Sequence, residues 1–164
     1  MSGEFINKDL VFLKKVIEKS KESVKRGGYP VGAALVMDGK IISYGFSDGK
    51  HLKDATSHAE IDAIRKASKR LDSRDLKGAV LYSSMEPCLM CFSASFWAGI
   101  SKIVYACSRE KVSKLHYEGR YNLAEIGKKF KRKIEFSHLE EMEKESLDVI
   151  KRWEKREGIL TTSK

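Results

Sequence analysis

The apolar runs VGAALVM (31–37) and KIISYGF (40–46) flank Asp38-Gly39, and this pairing constrains the fold more than any other stretch of the chain. A two-residue Asp-Gly connection between β-prone runs is a hairpin signal. Beyond the hairpin, helix and strand alternate. Ile61, Ile64, Ala67 and Leu71 predict a helix over 58–71, AVLYSSM (79–85) a third strand, 88–99 a helix, KIVYAC (102–107) a fourth strand and KIEFSHL (133–139) a fifth. A helix over 9–26, with Leu10, Leu13, Val16, Ile17 and Val24 at helical spacing, precedes the hairpin and ends at Gly27-Gly28. A last helix over 140–157 carries Met142, Leu147, Ile150 and Trp153. Residues 47–57 read as a polar loop and 108–130 as short helices and loop. Helix, hairpin, then alternating helix and strand imply an α/β fold: a three-layer α/β/α domain around one five-stranded mixed sheet, antiparallel in the first pair and parallel in the later strands. At 164 residues the chain is expected to be a single domain over 1–164, large enough to fold without disulfides.

Composition removes several classes. Hydrophobic residues are 41%, charged residues 34% and Pro only 2, which excludes a linker or low-complexity protein. No apolar run approaches the roughly 20 residues of a membrane helix. The start, MSGEFINKDLVFLKKVIEKS, has no uninterrupted apolar stretch after a basic one, so no secretory signal is expected. Three Cys cannot all pair, and two sit in a CxxC; this points to the cytoplasm and to a metal or redox role rather than a disulfide framework. Lys plus Arg is 32 against 23 Asp plus Glu, a net charge of +9. That charge suits a nucleic-acid partner. The basic residues are nevertheless scattered among Glu, and only Lys128, Lys129, Lys131, Arg132 and Lys133 form a dense run, so a solvated surface is the simpler reading.

The chemistry lies in His58-Ala59-Glu60 and Pro87-Cys88-Leu89-Met90-Cys91, both at predicted helix starts. Cys88 and Cys91 are three apart, so their thiols share a helix face. The positive end of the helix dipole favours thiolates, which are what zinc binds. His58 supplies a third ligand and leaves a fourth position open for water. Zinc would bring the pKa of that water toward about 7, and Glu60 is the nearby carboxylate that can move protons. Ser57-His58-Ala59-Glu60 matches a capping box, and Pro87 suits a first helical turn. Other readings exist. A CxxC alone also suits a redox pair, a structural zinc would take a fourth ligand from His51, His116 or His138, and Glu60 could be only the cap partner. Cys107 reads as a small core residue.

The pair H-x-E…P-C-x-x-C, within residues 5–120, resembles the zinc-dependent cytidine/deoxycytidylate deaminase superfamily. The resemblance implies the cytidine-deaminase-like fold, ligand roles for His58, Cys88 and Cys91, and Glu60 as proton shuttle. It also implies a reaction in which activated water adds to the amidine carbon of an aromatic heterocycle and ammonia leaves. PCLMCFSASFWAGISKIVYAC looks most like the guanine deaminase branch. That likeness implies Trp97 as a wall of the base pocket and Glu118, just before Gly119, as an acidic residue that contacts the base and relays a proton. Two positions depart from the pattern. Ser47, followed by Asp48, stands where most branches carry a base-binding Asn, and Leu115-His116-Tyr117 replaces the usual Gly-Phe-Asp; His116 is expected to fill part of the gap. The expected substrate is therefore a small aminated heterocycle, a free purine base or nucleoside. Adenosine in tRNA and cytosine are the alternatives. SREKVSKLHYEGR (108–120) lacks the small-residue segment of the tRNA-editing branch, so nucleic acid is not the favoured partner. Family members commonly form homodimers, for which 130–136 or the last helix could serve. A zinc protein that binds nucleic acid without turnover is a further reading, against which the intact Glu60 speaks.

Overall fold

The computed structural model describes residues 7–159, so both ends of the expected 1–164 domain lie outside the described residues. In chain order the elements are α1 (Lys8–Lys25), β1 (Gly32–Met37), β2 (Lys40–Phe46), α2 (Gly49–Leu52), α3 (Ala59–Leu71), β3 (Val80–Met85), α4 (Leu89–Trp97), β4 (Lys102–Cys107), α5 (Leu123–Gly127), β5 (Glu135–His138) and α6 (Glu143–Arg156). Short 3-10 turns lie at Arg109–Lys111, Lys114–His116 and Glu140–Met142.

The five strands form one sheet in the order β2-β1-β3-β4-β5. β1 runs antiparallel to both of its neighbours, and β3, β4 and β5 run parallel. Asp38 and Gly39, at φ 50 and 71, both take the left-handed conformation, as a type I′ hairpin requires. Strand period then sorts the core. Ala34, Val36, Tyr82, Val104 and Ala106 face Leu13, Val16 and Ile17 of α1 and Val149 of α6. Ala33, Leu35, Leu81 and Ile103 face Ala59, Ala63 and Ala67 of α3 and Phe92 and Phe96 of α4. The expected three layers are present, and β1 reads as a continuous apolar run because it is buried on both faces.

One contact sets where α3 begins. A Cβ at Gly45 would fall 1.8 Å from the carbonyl oxygen of Ala59. Glycine lets the first turn of α3 lie directly on β2, which carries His58 and Glu60 over the sheet. Most boundaries fall within a residue or two of the sequence reading, and the main differences are these. Residues 47–57 contain α2, the third predicted helix begins at Leu89, β5 is confined to Glu135–His138, and the last helix opens as a 3-10 turn around buried Met142. The segments expected to serve a homodimer also pack within the chain. Phe130 stacks on Phe96 with ring centroids 3.9 Å apart, Phe136 meets the edge of Phe92 at 5.4 Å, and α6 buries Val149, Ile150 and Trp153.

Candidate active site

β3 ends at Met85, and Glu86-Pro87 lead into α4, whose cap residue is Cys88 in an extended conformation. Pro87 therefore stands one residue before the cap rather than in the first turn. Cys91 follows inside the first turn, fully buried. At α3 the cap residue is His58, also extended, with no side-chain cap bond. The expected capping box is not formed. Ser57 lies outside the helix, and the Glu60 carboxylate turns inward, where Ser83 Oγ donates to Oε1 at 3.1 Å and Cys91 Sγ lies 3.5 Å from Oε2. Reaching back to the cap would leave the fully buried Ser83 hydroxyl without a partner.

His58 Nδ1 lies 3.5 Å from Cys88 Sγ and 3.6 Å from Cys91 Sγ, and the two sulfurs are 3.6 Å apart. Tetrahedral zinc bonds of about 2.3 Å to sulfur and about 2.0–2.1 Å to nitrogen require edges of about 3.8 and 3.5 Å, so the donor set and its spacing fit zinc. Among the described residues these three form the group that could hold a metal. The other imidazoles are engaged elsewhere: His51 with Asp48, His116 with Glu154, and His138 with the Ala106 carbonyl and Glu143. Among the described residues no fourth Cys or His closes the tetrahedron, which is the arrangement of a reactive rather than a structural zinc.

Burial pushes the Glu60 carboxyl above its ordinary range, and the Cys88 sulfur pushes it further. The hydrogen bond with Cys91 draws the Cys88 thiol down to about 4 against desolvation, with His58 assisting. The same bond and burial push Cys91 up.

These groups open onto a cavity of about 830 Å³. Ser47, His116 and Glu118 line it together with His58, Glu60 and Cys88. Asp48 and Trp97 do not. Asp48 begins α2 with its carboxylate 2.5 Å from His51 Nδ1. Trp97 is 77% exposed at the far end of α4, about 13 Å of helix from Cys88. The aromatic wall is instead made by Tyr29, Tyr117 and Tyr121, which the sequence reading missed, together with Ser83 beneath Glu60 and the buried Glu86. The Tyr117 hydroxyl donates to the Glu86 carbonyl at 2.6 Å, and Tyr121 Oη accepts the Leu89 N–H at 2.8 Å. Arg109 lies against both rings, 4.5 and 4.0 Å from their centroids. Two tyrosines four residues apart, either side of Gly119, are the available signal, but the polar residues around them sustain no helix or strand pattern.

The family model for the cytidine and deoxycytidylate deaminase zinc-binding region matches residues 6–107. A tRNA-specific adenosine deaminase of Aquifex aeolicus is 39% identical over 100 residues, 61% of this chain and 66% of that protein. A guanine deaminase of Bacillus subtilis is 38% identical over 118 residues, 71% of this chain and 76% of that protein. The solved structure of NE0047 in complex with 2,6-diaminopurine has the same fold, with a TM-score of 0.80 at 23% identity over 92% of this chain and 84% of that one. A match that takes in α1, four of the five strands and both ligand segments reaches well beyond the CxxC alone, and by it the chain belongs to the cytidine and deoxycytidylate deaminase family.

Proposed function

We propose that the protein hydrolytically removes the exocyclic amino group of a free aminated purine base, releasing ammonia, and that it works in the cytoplasm as a homodimer. One observation carries the substrate class. The cavity lining holds three tyrosine rings and four carboxylates, Asp54, Glu60, Glu86 and Glu118, against a single lysine, Lys50. Aromatic walls suit a flat base, and carboxylates accept its N–H groups. A phosphate polymer meets repulsion there. The basic run lies elsewhere: none of its residues lines the cavity, and Arg132 sits against Gly99, beyond the C-terminal end of α4. The 38% identity to a guanine deaminase supports the same reading.

His58, Cys88 and Cys91 would hold zinc, which when bound supplies the Lewis acidity that makes water nucleophilic near neutral pH. The rest is the work of side chains present in the chain. Glu60 has one oxygen fixed by Ser83, so Oε2 is directed at the ligand cluster. Burial raises its proton affinity, as a group needs if it is to take a proton and deliver it to the departing amine. Glu118, an exposed residue on the cavity lining, is the acceptor assigned to a ring N–H in this reading. The Ser47 main chain is tied to Ser23 and Tyr29, while its hydroxyl has no partner among the described residues and is free to meet the base.

The test is ammonia release from guanine, adenine, cytosine, their nucleosides and a short RNA hairpin, each at low and high salt. The expected result is steady release from a free purine that changes little with salt. A tRNA substrate is the competing reading, favoured by the 39% identity to a tRNA-specific adenosine deaminase. Faster turnover of the hairpin, falling steeply as salt rises, would establish it instead. Tight RNA binding with release from no substrate would make the protein a binding module. The exposed Leu89 and Trp97 on α4 offer apolar surface for a second copy, and sedimentation of the zinc-loaded protein at micromolar concentration tests the dimer.

A further inference from the structure

His116 lies on the cavity wall, and its Nε2 is 3.0 Å from Oε1 of Glu154, 38 residues away on α6. Both side chains are nearly sealed from solvent, at 6% and 1% exposure. Glu154 also accepts the Ser113 N–H at 3.0 Å and Lys151 Nζ at 3.1 Å. A carboxylate with three donors is a stable buried anion. Burial works against the Glu154 charge, but these donors outweigh it and keep the group ionised. Burial also holds the imidazole below its ordinary pKa and keeps it neutral. An ionised carboxylate only accepts, so the ring proton stands on Nε2 and Nδ1 carries a lone pair. Among the described residues Nδ1 has no partner, and it is not sealed in the interior: the one buried side-chain nitrogen or oxygen left without a partner is the Trp153 indole nitrogen. His116 lines both the cavity and a side pocket of about 340 Å³ that shares Tyr29, Lys50 and Leu115 with it, and Nδ1 is its free ring acceptor.

We infer that Glu154 is a positioning residue that fixes His116 as its Nε2–H tautomer, so that Nδ1 accepts a hydrogen bond from an N–H of the bound heterocycle. The inference rests on the proposed small-heterocycle substrate and adds to it a donor requirement set from the C-terminal helix. A base that presents an N–H to Nδ1 is selected over one that presents a lone pair, because two acceptors face to face repel and leave both unpaired.

The experiment uses the zinc-loaded full chain, with guanine as probe. The ¹⁵N shifts of the His116 ring, assigned by their loss in His116→Gln, are expected to show a lone pair on Nδ1 and a proton on Nε2 at neutral pH. Glu154→Gln is expected to give a mixture of tautomers. His116→Leu should raise KM for guanine about tenfold while kcat stays within about threefold, and His116→Gln, whose carbonyl can accept, should recover most of the loss. A proton on Nδ1 or an imidazolium in the wild type would overturn the inference. So would a KM unmoved in His116→Leu, or His116→Gln no better than His116→Leu. Where Glu154→Gln fails to fold, the two His116 variants and the wild-type spectrum decide. Absence of guanine turnover in the wild type would count against the proposed function alone, and the wild-type tautomer would still decide the role of Glu154.

Discussion

Cys88, Cys91, His58 and Glu60 stand at the first turns of two helices laid on the sheet, whereas residues 113–121, which line the same cavity, have no strand or α-helix of their own. The first set is held by backbone. α3 presses on β2 at Gly45, and the Phe92 N–H bonds to the Cys88 carbonyl at 2.9 Å. The second set is held by side chains reaching from elsewhere. Arg109 donates to the Tyr121 and Gly119 carbonyls, Tyr117 to the Glu86 carbonyl, and Glu154 holds Ser113 and His116. The ligand cluster is thus placed by main-chain packing, and the wall by separate side-chain bonds. Chemistry is placed where geometry is rigid, and recognition where single substitutions can change it.

Loss of a metal ligand is the most severe way to break this contrast. Cys91→Ala should abolish zinc binding by elemental analysis, bring turnover to background and lower the melting temperature, because metal binding is coupled to folding. Retained zinc and retained turnover would mean the ligand cluster is not the reacting centre. Glu60→Gln comes next. It keeps the size and the zinc but loses the proton carrier, so kcat should fall by about 10²–10⁴. Near-normal turnover would reduce Glu60 to a partner of Ser83.

Wall variants should be milder and should separate binding from chemistry. Tyr117→Phe removes the donor to the Glu86 carbonyl and is expected to cost about 1–3 kcal/mol in urea unfolding, with zinc content unchanged. Glu118→Gln should raise KM for a free purine about tenfold while leaving stability and zinc in place. An equal fall in kcat would move Glu118 from the recognition wall to the reacting set. The smallest effect concerns pH. His116 is held below its ordinary 6.5, so the folded protein binds fewer protons there than the unfolded chain. Its contribution to stability is complete above pH 6.5 and is lost as pH falls toward the folded value. Glu154, held below its ordinary 4.5, adds a second loss as pH falls through its own folded value. Urea midpoints between about pH 7 and 5 should therefore decline less in His116→Gln than in the wild type. Identical slopes would show that the imidazole titrates as it does in the unfolded chain.

Local chemistry in the sequence was enough for much of this molecule. The Asp38-Gly39 hairpin, the helix periods, the alternation that makes three layers and the zinc ligands were all legible, because each depends on neighbours a few residues apart or on a motif whose spacing is itself the geometry. Tertiary structure decided the rest. Glu60 abandoned the cap for Ser83, a residue 23 positions away, whose buried hydroxyl would otherwise have no partner. Trp97 left the pocket because nine residues of helix carry it away from Cys88, and tyrosines from two separate segments, Tyr29 from one and Tyr117 and Tyr121 from the other, took the aromatic role. His116 acquired its buried partner, Glu154, from α6. Each of these outcomes turns on a contact between residues far apart in the chain, and propensity, period and motif describe only what lies near in sequence.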